Sequence, residues 1–273
     1  MTGYSQAQIK PSALKLEVFT SSPNGFSVTS TMVYGDKEMI VVDPQFLLSE
    51  ARKLAGRIRA TGKTLTTIYS THAHPDHFLG VAALKEEFPN ARYVALPQVV
   101  ERIKTAWPAR RNFWFPTYGS DLPSETPILP EPLKEPVLML EGNRLAITGE
   151  VMGDGPGNSF VHIPSLNAVL GGDIIFNRSH FGPPADAAPL YATFDQIKAL
   201  NPKILVAGHQ AQGTPNDPAA IDFMRNYITD FNAFKASSTS AEELKKKMLA
   251  KYPKLALENL LDGAVGRAFP AKQ

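Results

Sequence analysis

The chain of 273 residues contains no cysteine. That excludes a disulfide framework, a thiolate metal site and a cysteine nucleophile. It does not fix the compartment, because a cysteine-free chain survives in either redox environment. No apolar stretch approaches the roughly 18 residues that a membrane span needs. The first thirty residues lack a basic region followed by an apolar one, so no secretory signal is visible. The expected compartment is the cytoplasm, with the periplasm open to a chain whose signal has been removed. Excess charge is missing too: Lys+Arg 28 against Asp+Glu 26 leaves a formal +2, too balanced to imply a nucleic acid or an anionic membrane as partner. The one basic run, Lys245-Lys246-Lys247, follows Glu242 and Glu243 and reads as a solvated helix face. There is no glycine-rich phosphate loop, dinucleotide fingerprint, low-complexity tract or short-period repeat. With 43% hydrophobic and 20% charged residues, what is left is an ordinary globular chain with ample core.

Hydrophobic periodicity organises it. Residues 14–20, 26–34 and 38–43 alternate apolar and polar around Pro23-Asn24-Gly25 and Gly35-Asp36, predicting an antiparallel meander. A helix is expected over 46–60, a β-branched strand over 64–70, a helix over 79–88, a short strand over 92–95 and a proline-opened helix over 97–107. Seven prolines fall between 108 and 136, a density that predicts a long surface loop or lid without regular helix. Strands are expected at 137–140, 144–148, 159–163, 167–170 and 203–207, with a helix at 194–200. From Asp217 the pattern is helical throughout: 218–234, 241–249 and 255–268. Strands that come early in each half, with helices later, favour an α/β or α+β layered sandwich over an all-β barrel.

One segment dominates the chemistry: Ser70-Thr71-His72-Ala73-His74-Pro75-Asp76-His77-Phe78-Leu79-Gly80. It concentrates three of the six histidines in a pattern that chance would produce on the order of once in 10,000 such chains. The cluster lies where a strand ends and a helix begins, and ligands at the carboxyl end of a strand can converge on a cleft. Histidine and aspartate together make an N/O donor set that suits zinc, with iron or manganese as alternatives.

This pattern resembles the HxHxDH signature of the metallo-β-lactamase-fold hydrolase superfamily. Asp43, in Ile40-Val41-Val42-Asp43-Pro44, resembles that family's structural aspartate after an early strand. Gly171-Gly172-Asp173 resembles its GD motif, whose carboxylate bridges two metals, and Ala207-Gly208-His209 resembles the GH motif that supplies a last histidine. The order matches, and the likeness spans roughly residues 14–209. It implies a four-layer αββα sandwich, one such domain over 1–273, and two zinc ions per chain. One position departs. In the turn Gly153-Asp154-Gly155-Pro156-Gly157-Asn158, Asp154 stands where the family usually has histidine. Either Asp154 takes that place or His162, further along the following strand, does; His162 reads as an ordinary strand histidine. With Asp154, the resemblance implies His72, His74 and Asp154 around one metal, Asp76, His77 and His209 around the other, and Asp173 between them. Two divalent ions, three carboxylates and one hydroxide then sum to zero, against +1 for the usual histidine arrangement.

The expected reaction is hydrolysis of a small organic ester, lactone, thioester or amide, β-lactams included, by metal-bound hydroxide. Asp76 would also orient the nucleophile or accept its proton, as the resemblance implies. Asn177 and His180 follow the GD motif closely and are candidate oxyanion donors or substrate contacts. Trp114 and residues 181–191 are candidate cleft walls for a hydrophobic substrate body. Two other readings compete: non-haem iron sulfur oxidation on the same scaffold, which a harder ligand set with Asp154 favours, and a binding protein with an altered site.

Overall fold

Turn residues and β-branched runs build the first half of the chain into a sheet. The computed structural model describes residues 11–123 and 126–270. β1 (Lys15–Thr20), β2 (Thr29–Tyr34) and β3 (Glu38–Val42) run antiparallel in sequence. From there each strand is reached through a helix, so the pairing becomes parallel. α1 (Leu48–Ala60) leads to β4 (Thr64–Tyr69), and α2 (Val81–Glu87) to β5 (Arg92–Ala95). α3 (Pro97–Tyr118) and an irregular stretch precede the two-residue β6 (Glu131–Pro132). Among the described residues these six strands form one sheet in sequence order.

The second sheet begins as a meander of β7 (Val137–Leu140), β8 (Asn143–Met152), β9 (Pro156–Ile163) and β10 (Ala168–Leu170). After β11 (Phe176–Asn177) and α4 (Ala188–Ala199), β12 (Ile204–Val206) returns parallel to β10. β13 (His209–Gln210) pairs with β11, and its His209 also bridges to Val28 ahead of β2. The chain closes with α5 (Ala219–Ala236), α6 (Ala241–Lys251) and α7 (Glu258–Ala268). Period-two alternation decides what each face of this sheet meets. Val161, Ile163, Ala168, Leu170 and Val206 enter the core shared with the first sheet and with Leu54, Leu84 and Val99 of α1 to α3. Their neighbours Phe160, Val169 and Leu205 pack instead against Phe194, Ile221, Tyr227 and Leu261 of the later helices. The result is a layered αββα arrangement of mixed α/β type.

The proline-rich stretch departs from expectation. α3 runs through Pro108 and Pro116 and ends at Gly119, so the segment 108–136 is not a loop throughout; Ser124 and Glu125 lie outside the described residues. Each proline deletes one helical hydrogen bond, but these two are eight residues apart. The carbonyls they orphan belong to Lys104 and Asn112, both exposed, where water can satisfy them. On the opposite side Trp107 is buried against Phe78, and Trp114 packs on Phe46. The other five prolines crowd into residues 123–136, and there no helix forms among the described residues. The basic run on α6 is tied down in part: Lys245 bridges to Glu258 and Asp262 of α7, and Lys247 to Glu243.

Candidate metal centre

Three strand ends and one hairpin turn meet at the same point. His72 and His74 leave the carboxyl end of β4, and Pro75–His77 forms a single tight turn that brings Asp76 and His77 round. Asp173 follows β10, and His209 follows β12. Asp154 comes from the β8–β9 turn, fixed by its own amide donating to the carbonyl of Asp173 at 2.9 Å. Glycine is required beside Asp173. A Cβ on Gly208 would lie 2.5 Å from Asp173 Oδ1, and Gly172 adopts φ +50°, so neither position accommodates a side chain.

The seven side chains fall into two groups that share Asp173. One comprises His72, His74, Asp154 and Asp173; the other Asp76, His77, Asp173 and His209, with donor atoms in each group within 4.8 Å of one another. Asp173 Oδ2 lies 3.3 Å from His72 Nε2 and 3.5 Å from His74 Nδ1. Its Oδ1 lies 2.9 Å from His77 Nε2 and 3.2 Å from His209 Nε2. Asp154 Oδ2 is 3.1 Å from His74 Nδ1, and Asp76 Oδ2 is 3.3 Å from His209 Nε2.

Each buried ring is aimed from behind. His77 Nδ1 donates to Asp43 Oδ2 at 2.9 Å, His209 Nδ1 to the Phe26 carbonyl at 2.7 Å, and His72 Nδ1 to Thr71 Oγ1 at 3.0 Å. Those bonds leave the Nε2 lone pairs directed inward, the orientation that metal ligation requires. His72 Nε2 is buried with no hydrogen-bond partner, and Asp173 Oδ1 has only the facing Nε2 atoms of His77 and His209 beside it. A buried polar atom without a partner is costly, and a cation at this point would satisfy both. The donor set of imidazoles and carboxylates suits zinc, iron or manganese.

Without a cation, the charges hold one another. Burial opposes protonation of His74 and His209, but Asp154 and Asp173 beside the first, and Asp173 and Asp76 beside the second, carry each up to about 10. Burial is likewise outweighed at His77, which is raised by Asp173, Asp43 and Asp76, while the histidines hold Asp76 and Asp173 low. For a histidine with a raised folded value, the stabilisation is complete below about 6.5 and is lost as pH climbs through the folded value. The metal-free protein should therefore lose stability between about pH 6.5 and 10. Metal must displace those protons: loading at pH 7.5 should release about three per chain. Calorimetry in buffers of different ionisation enthalpy reads that number, and a buffer-independent enthalpy would contradict it.

Beside this cluster opens a small, half-open cleft. Phe26, Phe46, Trp114 and Phe176 form its apolar side, and His74, Asp76, Asp154, Asp173 and His209 its polar floor. Trp114 meets Phe26 and Phe46 edge-on at 5.4 and 5.6 Å. Residues 182–185 border a neighbouring groove that shares Asp154.

The structure does not bring Asn177 or His180 to the cleft. β11 alternates, so Phe176 stacks on the His209 ring at 4.9 Å while Asn177 turns away and donates to the Pro215 carbonyl. His180 is drawn the other way by its backbone bond to Ala256 and a 2.9 Å bond from Nδ1 to the Tyr227 hydroxyl. Neither is placed to serve as an oxyanion donor or substrate contact. His162 lies half-buried on β9, with the same parity as Phe160, outside both groups. Sequence reasoning missed Phe26, Phe46 and Phe176 as cleft residues, and also Arg110. The four-residue spacing of Arg110 and Trp114 would have found the arginine, whereas Phe176 lies three residues beyond Asp173, across a tight turn, and no strand period from that carboxylate reaches it.

Comparison with known proteins gives this geometry a context. Residues 23–209 match the family model described as the metallo-beta-lactamase superfamily. Over 60 residues the chain is 38% identical to hydroxyacylglutathione hydrolase 1 of Vibrio vulnificus (strain YJ016), a stretch that is 22% of this chain and 23% of that protein. A beta-lactamase domain protein from Burkholderia ambifaria superposes with a TM-score of 0.65 at 17% identity, covering 97% of this chain and 85% of its own. A metallo-beta-lactamase family protein from Thermus thermophilus gives 0.58 at 20% identity, covering 93% of each. At these identities the structural likeness is one of fold.

Proposed function

This chain belongs to the metallo-β-lactamase superfamily, whose members bind metal ions, typically zinc, and on that footing we propose that it is a dinuclear zinc hydrolase of small organic esters, lactones, thioesters or amides. The observation that carries the reading is the convergence of two donor groups on Asp173, with the buried Nε2 of His72 left without a hydrogen bond. The relative from Vibrio vulnificus, itself named as a hydrolase, supports the same class.

Divalent ions held there supply a nucleophile at neutral pH by lowering the pKa of water from about 16 toward about 7. The chain's own residues do the rest. His72, His74 and Asp154 form one half of the site, and Asp76, His77 and His209 the other. Asp76, partly open to the cleft with its side chain 18% exposed, orients the attacking water and takes up its proton. Asp43, Thr71 and the Phe26 carbonyl fix the ring orientations. The aromatic side of the cleft seats an apolar substrate body and keeps bulk water from the scissile bond.

Asp154 makes the centre of this chain neutral where a histidine would leave it at +1. A neutral centre acidifies water less, so the alkaline shift should show in the rate profile. Plasma mass spectrometry of chelator-free protein should find about two zinc per chain, with turnover of 4-nitrophenyl acetate. In Asp154→His the acidic limb of the pH–rate profile should move down by about one unit, because a centre one charge more positive favours the deprotonated nucleophile. An unmoved profile with unchanged metal affinity would remove Asp154 from the ligand set. Iron in place of zinc would redirect the reading to oxygen-dependent sulfur chemistry. Protein that takes up no metal after reconstitution would end the catalytic reading.

A further inference from the structure

We infer that Arg110 recognises a carboxylate on the substrate, and so sets a preference for acidic over neutral compounds. The inference rests on the hydrolase reading above and names the substrate class within it. Positions 110, 114 and 118 share one face of α3 at four-residue spacing. Trp114 and Tyr118 of that face pack against Phe46 beside the cleft. Arg110, one turn earlier, lines the cleft alongside His74 and Asp154, and also lines the groove that adjoins it on the His72 side.

Among the described residues it is the only lysine or arginine that lines the cleft. Its guanidinium is exposed and has no ion-pair or hydrogen-bond partner among the described residues. Arg102, across the adjoining groove, differs: it donates to the Pro156 carbonyl and faces Glu150 at 3.8 Å. The other charges in the cleft are the metal-binding candidates Asp76, Asp154, Asp173, His74 and His209. In the loaded enzyme these are taken up by the ions, and with Asp154 in place two divalent ions, three carboxylates and one hydroxide sum to zero. The net attraction for an anion then comes from Arg110 alone. A guanidinium offers a carboxylate two parallel N–H donors, a geometry an ammonium does not reproduce. The aromatic wall beside it accepts an apolar body. The substrate class that fits both features is an ester or amide with an apolar or aromatic portion and a free carboxylate on a short chain.

The experiment uses zinc-loaded protein and the non-hydrolysable ketone 5-(4-nitrophenyl)-4-oxopentanoate, its two homologues with one and two further methylenes, and the tert-butyl ester of each, too hindered at its carbonyl to be hydrolysed during the titration. Binding is read by calorimetry and zinc content by mass spectrometry, for wild type, Arg110→Ala and Arg110→Lys. At one chain length or more, wild type should bind the acid at least about tenfold tighter than its ester, the range of a hydrogen bond to a charged group. Arg110→Ala should lose that margin with the ester affinity and zinc content unchanged, and Arg110→Lys should recover part of it. Equal losses for acid and ester would overturn the inference, since Arg110 would then be wall rather than anion receptor. It would also be overturned by an acid affinity that Arg110→Ala does not change, which would assign the carboxylate to the metal. No acid preference at any chain length in wild type would overturn it as well. Hydrolysis of the corresponding 4-nitrophenyl monoesters is measured separately. Its absence, with the Arg110-dependent binding margin intact, would sink the hydrolase reading and sustain the receptor role.

Discussion

Asp173→Asn should lower bound metal from about two equivalents per chain to about one or fewer, and kcat/KM by about 10³-fold or more, roughly 4 kcal/mol of transition-state stabilisation. The reason is where the two oxygens sit. Oδ1 faces His77 and His209, Oδ2 faces His72 and His74, and the carboxylate is 3% exposed. Asparagine preserves the shape that Gly172 and Gly208 leave room for, so the fold should survive. It removes the negative charge and turns an amide NH₂ toward one of the two donor groups. A cation on that side loses a ligand and meets a donor in its place. Metal content, the hydrolytic rate of 4-nitrophenyl acetate and the thermal midpoint should be read together. Two metals retained with activity within tenfold of wild type would exclude a bridging role for Asp173.

The parts of this architecture that are legible in sequence are those set by neighbours along the chain. Alternation around Pro23-Asn24-Gly25 and Gly35-Asp36 suffices for the antiparallel start, because pleat and turn are local properties. Gly172-Asp173 and Gly208-His209 stand out because only a residue without a side chain fits between their backbones. Distance along the chain is a poor guide elsewhere. Asn177 and His180 lie four and seven residues beyond Asp173, yet strand alternation turns the first away and a backbone bond to Ala256 carries off the second. Phe26, from the turn between β1 and β2, reaches His209 across 183 residues, and no local pattern announces that contact. α3 shows a different failure. Proline density averaged over 29 residues conceals that two prolines are spaced widely enough for a helix whose aromatic face is packed. Hidden with that helix was the stripe that carries Arg110 and Trp114.

Asp43 offers the largest expected effect on stability, and two substitutions there separate folding from metal binding. The residue is 3% exposed and has φ +60°. Its Oδ1 accepts from the Thr71 amide at 2.8 Å; its Oδ2 accepts from the Thr71 hydroxyl at 2.8 Å and from His77 Nδ1 at 2.9 Å. Asp43→Ala abandons three buried donors and places alanine in the left-handed region. At about 1–3 kcal/mol for each unsatisfied group, with about 1 more for the backbone, the loss should be about 4 kcal/mol or more. In a chain of this size that corresponds to a midpoint lower by roughly 8 °C or more. Asp43→Asn should behave differently. Asparagine tolerates the left-handed backbone, its oxygen still accepts from the Thr71 amide, and its NH₂ can donate to the Thr71 hydroxyl. The same NH₂ now faces His77 Nδ1, which must become an acceptor, so the ring proton moves to Nε2. That nitrogen points at Asp173 and His209, and once protonated it cannot ligate. Asp43→Asn should therefore lose only about 1–2 kcal/mol of stability but about 10–100-fold in affinity for the metal on the His77 side. If metal affinity instead fell only in proportion to stability across the two variants, Asp43 would be a structural residue alone, and the inward aim of His77 would have to come from packing.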